Sequence, residues 1–117
     1  MITLTTPKNT GDVDPNGPFN KTRITWWRID TEAEIVSAMI ELGKVVSNVW
    51  VACIEEVAVT NGWTRNIGIK GVAPNDVYYN AIVAATPEGE ETAHEAIVRE
   101  IETAIIALGV VDGTVDA

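Results

Sequence analysis

The hydrophobic pattern at Arg23–Ile29 (RITWWRI) predicts a β-strand. β-Branched and aromatic residues dominate this run, and Asp30 follows it as a turn residue. Such side chains favour the pleated, half-buried surface of a sheet. Because successive side chains of a strand point to opposite faces, Trp26 and Trp27 are expected on opposite sides of the sheet.

The spacing of the next apolar residues predicts a helix over Thr31–Leu42. Thr31 and Glu34 match a capping box, in which each side chain accepts a hydrogen bond from a backbone N–H at the helix start. Gly43 follows as a residue that can end the helix. The apolar side chains that share one helical face are Ile35, Met39 and Leu42.

Residues 45–60 fit two interpretations. A helical stripe is possible, but the density of valine and isoleucine favours strands. Asn61-Gly62 can cap a helix or form the tight turn of a hairpin. Strands are the preferred interpretation, and the helix stays open as the alternative. The residues that would form the helical stripe are Val46, Val49, Trp50, Cys53, Ile54 and Val57.

A second buried strand is predicted at Val77–Ala85 (VYYNAIVAA). The run carries apolar residues on both faces when it is drawn as a strand. A central strand that is covered on both sides shows this pattern.

The strongest helical pattern runs from Thr86 to Leu108. Thr86 is the predicted N-cap and Pro87 the first helical residue. Gly109 is predicted to end the helix, and residues 110–117 to add a short edge strand. The acidic residues expected near the positive end of the helix dipole are Glu88, Glu90 and Glu91. The predicted buried face consists of Ala93, Ile97, Ile101, Ala104, Ile105 and Leu108.

Residues 1–22 are predicted to form an extended arm. Ile2 and Leu4 alternate with polar residues, and a stretch rich in Pro, Gly, Asn and Asp follows. A loop of this length without regular structure is uncommon inside a compact domain, which suggests that it lies against a neighbouring subunit. We expect deletion of residues 1–22 to abolish oligomerisation and to leave the domain folded.

These elements predict one α+β domain with a mixed or antiparallel sheet, two helices packed on it and an extended N-terminal arm. The arm is assigned to residues 1–22 and the domain to residues 23–117. A chain of 117 residues can bury one core, and no internal repeat or linker divides it.

Charge and composition disfavour several classes of partner. The chain has 17 acidic and 8 basic residues, a formal charge of −9 that repels a phosphate backbone. Lys21, Arg23 and Arg28 form only a thin basic group, so we predict no nucleic-acid and no membrane partner. The first residues do not match a signal peptide, and no apolar run approaches the ~20 residues that span a bilayer. Cys53, the only cysteine, cannot form an intrachain disulfide, which fits a reducing cytoplasm.

Residues 12–17 (DVDPNG) match the opening of a calcium loop. Asp12, Asp14 and Asn16 stand at alternate positions, from which oxygen ligands converge on one ion. The twelfth position, which requires a bidentate Glu, is Arg23. We therefore interpret the segment as a turn and leave calcium binding by these three residues open.

Two other groups have potential chemistry. Glu91 and His94 have the Glu-x-x-His spacing of di-iron sites, but such sites need a second pair, and His94 is the only histidine. Cys53 lies in an apolar run and is interpreted as a core residue. We predict no catalytic residue, no cofactor and no metal site.

The chain has four tryptophans, more than so small a domain usually buries. Because Trp is enriched both in cores and at interfaces, at least one of Trp26 and Trp27 is expected to contact a partner; the alternative is that both faces of their strand are covered within the domain. The candidate interface residues are Trp26, Trp27, Ile2, Leu4, Phe19 and Trp63.

The predicted order of elements resembles that of the small α+β proteins that terminate or connect phage tails. The resemblance covers Thr31 to Leu108 and rests on the order of elements around three segments: VWVAC, the Asn-Gly hairpin and VYYNAIVAATPEGEETAHEAIVREIETAI. It implies a ring-forming virion component without an active site.

The leading hypothesis is therefore a non-catalytic assembly protein of a phage tail or neck. Copies of the chain would form a homo-oligomeric ring, and the ring would bind other structural proteins of the virion. Assembly would take place in the host cytoplasm. The alternative is a small, dimeric, ferredoxin-like enzyme or ligand-binding domain in the cytoplasm, with a pocket between sheet and helices. The residues considered for that pocket are Trp50, Tyr78, Tyr79 and His94.

Overall fold

A computed structural model describes residues 1–8, 18–53 and 64–116. In these ranges the chain forms an antiparallel sheet of six strands with two helices packed on it, which confirms the predicted α+β class. The strands are β1 (Ile2–Lys8), β2 (Phe19–Asp30), β3 (Ile35–Val46), β4 (Val49–Ala52), β5 (Thr64–Lys70) and β6 (Gly113–Val115). The helices, both between β5 and β6 in the chain, are α1 (Asp76–Val83) and α2 (Ala93–Ala107).

β3 lies at the centre of the sheet. β2 pairs with one side of it, from Lys21 opposite Gly43 to Asp30 opposite Ile35. On the other side β5 pairs with the first half of β3 and β4 with the second half. β1 pairs with β2, and β6 pairs with β1 at the end of the sheet, as predicted for the C-terminal edge strand.

The core lies between the helices and one face of the sheet. Alternate residues of β3 point into it, and the residues paired with them on β2 and β5 share that face. The helices add side chains at helical spacing from α1 and α2. The largest fully buried side chains are Phe19, Ile2, Ile69, Ile82, Ile101, Ile105 and Val36.

The helix predicted over residues 31–42 is wrong. Residues 31–34 form the turn between β2 and β3, and Gly43 lies within β3 rather than at a helix end. The Asp30 side chain accepts hydrogen bonds from the backbone N–H groups of Glu32 and Ala33, at 3.1 and 3.0 Å. An aspartate thus closes a tight turn where the capping pattern predicted a helix start.

The strand predicted at residues 77–85 is also wrong, because α1 occupies Asp76–Val83. Only Tyr79 and Ile82 of this helix are buried, at the i, i+3 spacing of one helical face. Val77 and Val83 are exposed, so the apolar character on both faces reflects surface valines and not a covered strand.

The C-terminal helix is confirmed, but it begins later than predicted. The N-cap is Thr92 and not Thr86: its hydroxyl accepts from the Glu95 N–H at 3.1 Å, and the Glu95 carboxylate accepts from the Thr92 N–H at 3.0 Å. Glu88, Glu90 and Glu91 therefore precede the helix. Gly109 follows the helix with φ +77°, which fits the predicted stop.

Residues 2–8 are extended, as predicted, but they form a strand within the sheet. Ile2 and Phe19 are fully buried and Leu4 is 7% exposed, so all three belong to the domain's own core. The boundary drawn between residues 22 and 23 lies inside β2. Deletion of residues 1–22 would therefore remove core side chains, and it cannot serve as a test of a detachable arm.

Two regions with predictions lie outside the described residues. Residues 9–17 include Asp12, Asp14 and Asn16, and residues 54–63 include Asn61-Gly62 and Trp63. In the neighbouring part of the chain, β4 supports the strand interpretation at Val49–Ala52.

Candidate functional site

Trp26 and Trp27 lie on opposite faces of the sheet, as predicted. An irregularity in the pairing between Ile24 and Trp26 precedes them. Trp27 pairs with the buried Ala38, and its ring centroid is 5.5 Å from that of His94 on α2. The Trp27 indole N–H is buried, and none of the described residues accepts a hydrogen bond from it. Trp26 is 46% exposed and is thus the one described tryptophan that presents a large surface to a partner.

Trp50 belongs to a compact cluster with Glu41 and Arg23. Its indole N–H donates to Glu41 Oε1 at 2.6 Å, and the Arg23 Nε–H donates to the same oxygen at 3.0 Å. The Arg23 guanidinium carbon is 4.7 Å from the centre of the Trp50 ring, within cation–π distance. The three side chains satisfy one another, which gives Trp50 a structural role.

A cavity of about 480 Å³ lies between α2, β2, β6 and the N-terminal residue Met1. His94 lines it, whereas Trp50, Tyr78 and Tyr79, also considered for a pocket, do not. The sequence could not indicate this cavity, because its walls come from segments that are far apart in the chain. The charged groups that line it are the Met1 ammonium, Arg23, Glu91, Glu95, Arg99, Glu102 and Asp116.

Glu102 is the most deeply buried charged residue of the cavity wall, at 2% exposure. Burial raises the pKa of its carboxyl group, and the Met1 ammonium, 3.2 Å from each carboxylate oxygen, acts in the opposite direction. Sequence reasoning missed this residue because it assigned the buried face of α2 to apolar side chains only.

Asp116 and Glu91 also have pKa values that differ from the ordinary ones. Burial acts to raise the pKa of Asp116, but hydrogen bonds from Lys21 and Thr3 hold it lower. The pKa of Glu91 is lowered by its hydrogen bond from Arg99, whose Nε is 2.9 Å from Glu91 Oε2. These carboxylates are engaged in ion pairs within the domain.

The structure does not assemble a metal site from the predicted candidates. Glu91 lies just before α2 and is paired with Arg99, while His94 lies in the first turn of the helix. Cys53 is half-buried and packs against the core. Within the described ranges, no group of three or more His, Cys, Asp or Glu side chains is arranged to hold a metal ion.

Two groups of exposed valines stand out on the surface. The first, the hairpin patch, lies at the tip of the β3–β4 hairpin and consists of Val45, Val46 and Val49, which are 37%, 48% and 62% exposed; Val46 and Val49 share one face of the hairpin and Val45 lies on the other. Val46 and Val49 form a cross-strand pair around a two-residue turn, Ser47-Asn48, in which both φ angles are positive. Such turns match the twist of a hairpin, and Asn48, a residue type that tolerates positive φ, is the signal that sequence reasoning missed.

The second group, the α1 patch, consists of Val72 and Val77, each 60% exposed. Val72 follows the end of β5, where Lys70 pairs with Ile35 at the start of β3. The Asn75 N–H donates to the Val72 carbonyl at 2.9 Å, and this tight turn leads into α1 and Val77.

The two patches lie at opposite ends of β3. The hairpin patch is at the Val46 end and the α1 patch is at the Ile35 end. Twelve residues of strand at about 3.3 Å each span roughly 40 Å, close to the 44 Å of the longest molecular dimension. The chain therefore presents exposed valines at both ends of β3.

Comparison with known proteins adds no further assignment. No family model matches the sequence, and neither the curated proteins nor the solved structures contain a match. Of the two helices described, neither is long and apolar enough to cross a membrane.

Proposed function

We propose that this chain is a non-catalytic structural protein that assembles into a homo-oligomeric ring, a component of a phage tail or neck. The observation that supports the proposal is the presence of exposed valines at both ends of β3. Clustered apolar side chains on a surface mark interaction sites. A ring is built from heterologous contacts, in which each subunit uses two different surfaces.

The fold itself does not require the valines of the hairpin patch. The Ser47-Asn48 turn depends on residues that tolerate positive φ, and threonine has a strand propensity similar to that of valine. Full burial of one valine side chain contributes about 1.5–3 kcal/mol. Burial of both patches in contacts between subunits would therefore supply several kcal/mol to association.

The phage setting is part of the proposal and does not rest on the order of elements. That order differs from the predicted one, since β3 replaces a helix and α1 replaces a strand. The phage setting is supported by the hairpin patch and the α1 patch together. Two apolar surfaces at opposite ends of β3 suit a ring that stacks on or joins other structural proteins in a particle. Assembly in the host cytoplasm is the corresponding location.

Isosteric substitutions test the proposal. Val46→Thr with Val49→Thr keeps β-branched side chains but places hydroxyl groups in the contact. Each buried hydroxyl costs about 1–2 kcal/mol, so the double variant is expected to raise the dissociation constant on the order of 100-fold. The measurement is native mass against concentration by light scattering, with circular dichroism as the check on folding.

Val83→Thr is the matched control. Val83 is 47% exposed, against 48% for Val46, but it belongs to neither patch. The control is expected to associate as the unmodified chain does. Equal effects at Val83 and in the hairpin patch would contradict the proposal.

A ligand-binding domain is the second candidate, and the cavity lined by His94 is the observation that favours it. The strand and helix order is not ferredoxin-like, because α1 and α2 follow each other without an intervening strand. A dimer whose mass is unchanged by substitutions in the hairpin patch would favour this candidate.

A further inference from the structure

We infer that the hairpin patch of one subunit binds the α1 patch of a second copy of this chain. The inference rests on the proposed function and specifies its contact: the association is head to tail. It is carried by the charges that surround the two patches, which differ in sign.

Among the described residues, the β3–β4 hairpin that carries the hairpin patch has little charge of its own. Residues 42–53 contain one charged side chain, Lys44, which lies next to Val45 on β3. The Lys44 ammonium is 5.9 Å from the centre of the buried Phe19 ring. In the part of the chain that the structure describes, the β3–β4 hairpin therefore offers an apolar surface beside the positive charge of Lys44, while Arg23 and Glu41 near Trp50 neutralise each other.

The surroundings of the α1 patch are acidic. Glu32 and Glu34 are exposed in the turn between β2 and β3. Glu34 lies beside Val72, because the Gly71 N–H donates to the Glu34 carbonyl at 2.7 Å. Asp76 precedes Val77 at the start of α1.

Basic side chains at the α1 end do not cancel these carboxylates. Arg28 is already paired with Asp30, at 3.5 Å. Lys70 is exposed at the end of β5 and leaves the local balance negative. An apolar surface with a negative border is thus complementary to the hairpin patch with its Lys44.

Contacts between identical patches are disfavoured by the same charges. Two hairpin patches would bring Lys44 near its own copy, and two α1 patches would bring together four glutamates. Like charges that face each other across an interface oppose association. A head-to-tail contact avoids both arrangements, and it closes into a ring if the rotation between subunits permits.

Two variants, each blocked at one end, test the inference. Val46→Asp with Val49→Asp blocks the hairpin patch, and Val72→Asp with Val77→Asp blocks the α1 patch. Each variant alone is expected to be monomeric. An equimolar mixture is expected to form a 1:1 dimer and nothing larger, because one intact patch of each kind remains. Native mass spectrometry of the two variants, alone and mixed, gives the readout.

The outcomes separate this inference from the function on which it rests. An oligomeric unmodified chain with no dimer in the mixture would overturn the head-to-tail contact and leave assembly standing. Dimers of the α1-blocked variant alone would also overturn it, since they require hairpin patches to bind each other. A monomeric unmodified chain would overturn the proposed function. If an aspartate variant fails to fold, the threonine substitutions at the same four positions repeat the mixing.

Discussion

The indole ring of Trp50 lies against the backbone of Gly43, where a β-carbon on residue 43 would be 2.7 Å from Trp50 Cε2. The same β-carbon would be 2.6 Å from the carbonyl oxygen of Val51. Glycine is therefore needed at this central position of β3 because of its neighbours. The contact also explains why a residue that suggested a helix end lies inside a strand.

Gly43→Ala is predicted to lower the free energy of unfolding by about 1–3 kcal/mol, because the added methyl group must displace Trp50 or the adjacent strand. Urea unfolding followed by tryptophan fluorescence measures the change. Gly68→Ala is the control: its β-carbon would meet Ile35 Cδ1 at 3.4 Å, an ordinary contact. Equal losses in the two variants would contradict this explanation.

Thr92→Ala is predicted to destabilise the domain by about 1 kcal/mol, because it removes the side-chain oxygen that caps α2. Thr86→Ala is the comparison, since Thr86 was the cap predicted from sequence and its hydroxyl only contacts the Ala84 carbonyl at an exposed position. Thermal unfolding of both variants distinguishes the two caps. A larger effect at Thr86 would place the helix start where the sequence pattern suggested.

Ile2→Ala is predicted to destabilise the domain by about 2–5 kcal/mol, the usual range for truncation of a buried aliphatic side chain. Thr6→Ala, at an exposed position of the same strand, is expected to change stability by less than about 0.5 kcal/mol. Chemical denaturation gives both values. A negligible effect at Ile2 would indicate that β1 is detachable from the sheet.

Glu102→Gln is predicted to change how stability depends on pH. Burial raises the pKa of Glu102 above its ordinary value of 4.5, so just above pH 4.5 the folded state holds a proton that the unfolded chain has lost. The stability contributed by this group is therefore fully present below pH 4.5 and is lost as pH rises through the raised pKa.

Glutamine does not titrate, so the Glu102→Gln variant does not lose this contribution to stability as the pH rises. Its free energy of unfolding, relative to that of the unmodified chain, is expected to rise between pH 4 and pH 7. Urea denaturation at several pH values measures the difference. A difference that stays constant with pH would contradict the assignment of a raised pKa to Glu102.

The sequence predicted secondary structure correctly where the local preference of a segment agrees with the structure that tertiary packing imposes on it. The run at Arg23–Ile29 lies in β2, and Gly109 follows the end of α2 as predicted. For β3, the positions Ile35, Met39 and Leu42 fit a helix, but the alternating residues from Val36 to Leu42 fit a strand equally well. Pairing with strands on both sides decides between them, and that pairing is not visible in the segment itself.

The surface patches show a second limit of sequence reasoning. Val77 and Val46 are valines in apolar runs, and nothing in their immediate sequence distinguishes them from the buried Val36. Their exposure depends on which face of α1 meets the sheet and on how far the hairpin projects beyond the core. Trp26 and Trp27 were expected on opposite faces of the strand, but the sequence did not indicate which face is covered; the packed structure shows that Trp26 is the exposed one.

Assembly into a homo-oligomeric ring is best tested by the native mass of the full chain, measured by light scattering over a wide range of concentrations. Ring assembly predicts a discrete oligomer larger than a dimer of the 12.6 kDa chain. This oligomer is expected to dissociate on dilution or on substitution of the hairpin patch. A mass that stays at 12.6 kDa at every concentration would contradict it, because both valine patches would then remain exposed without a second copy to cover them.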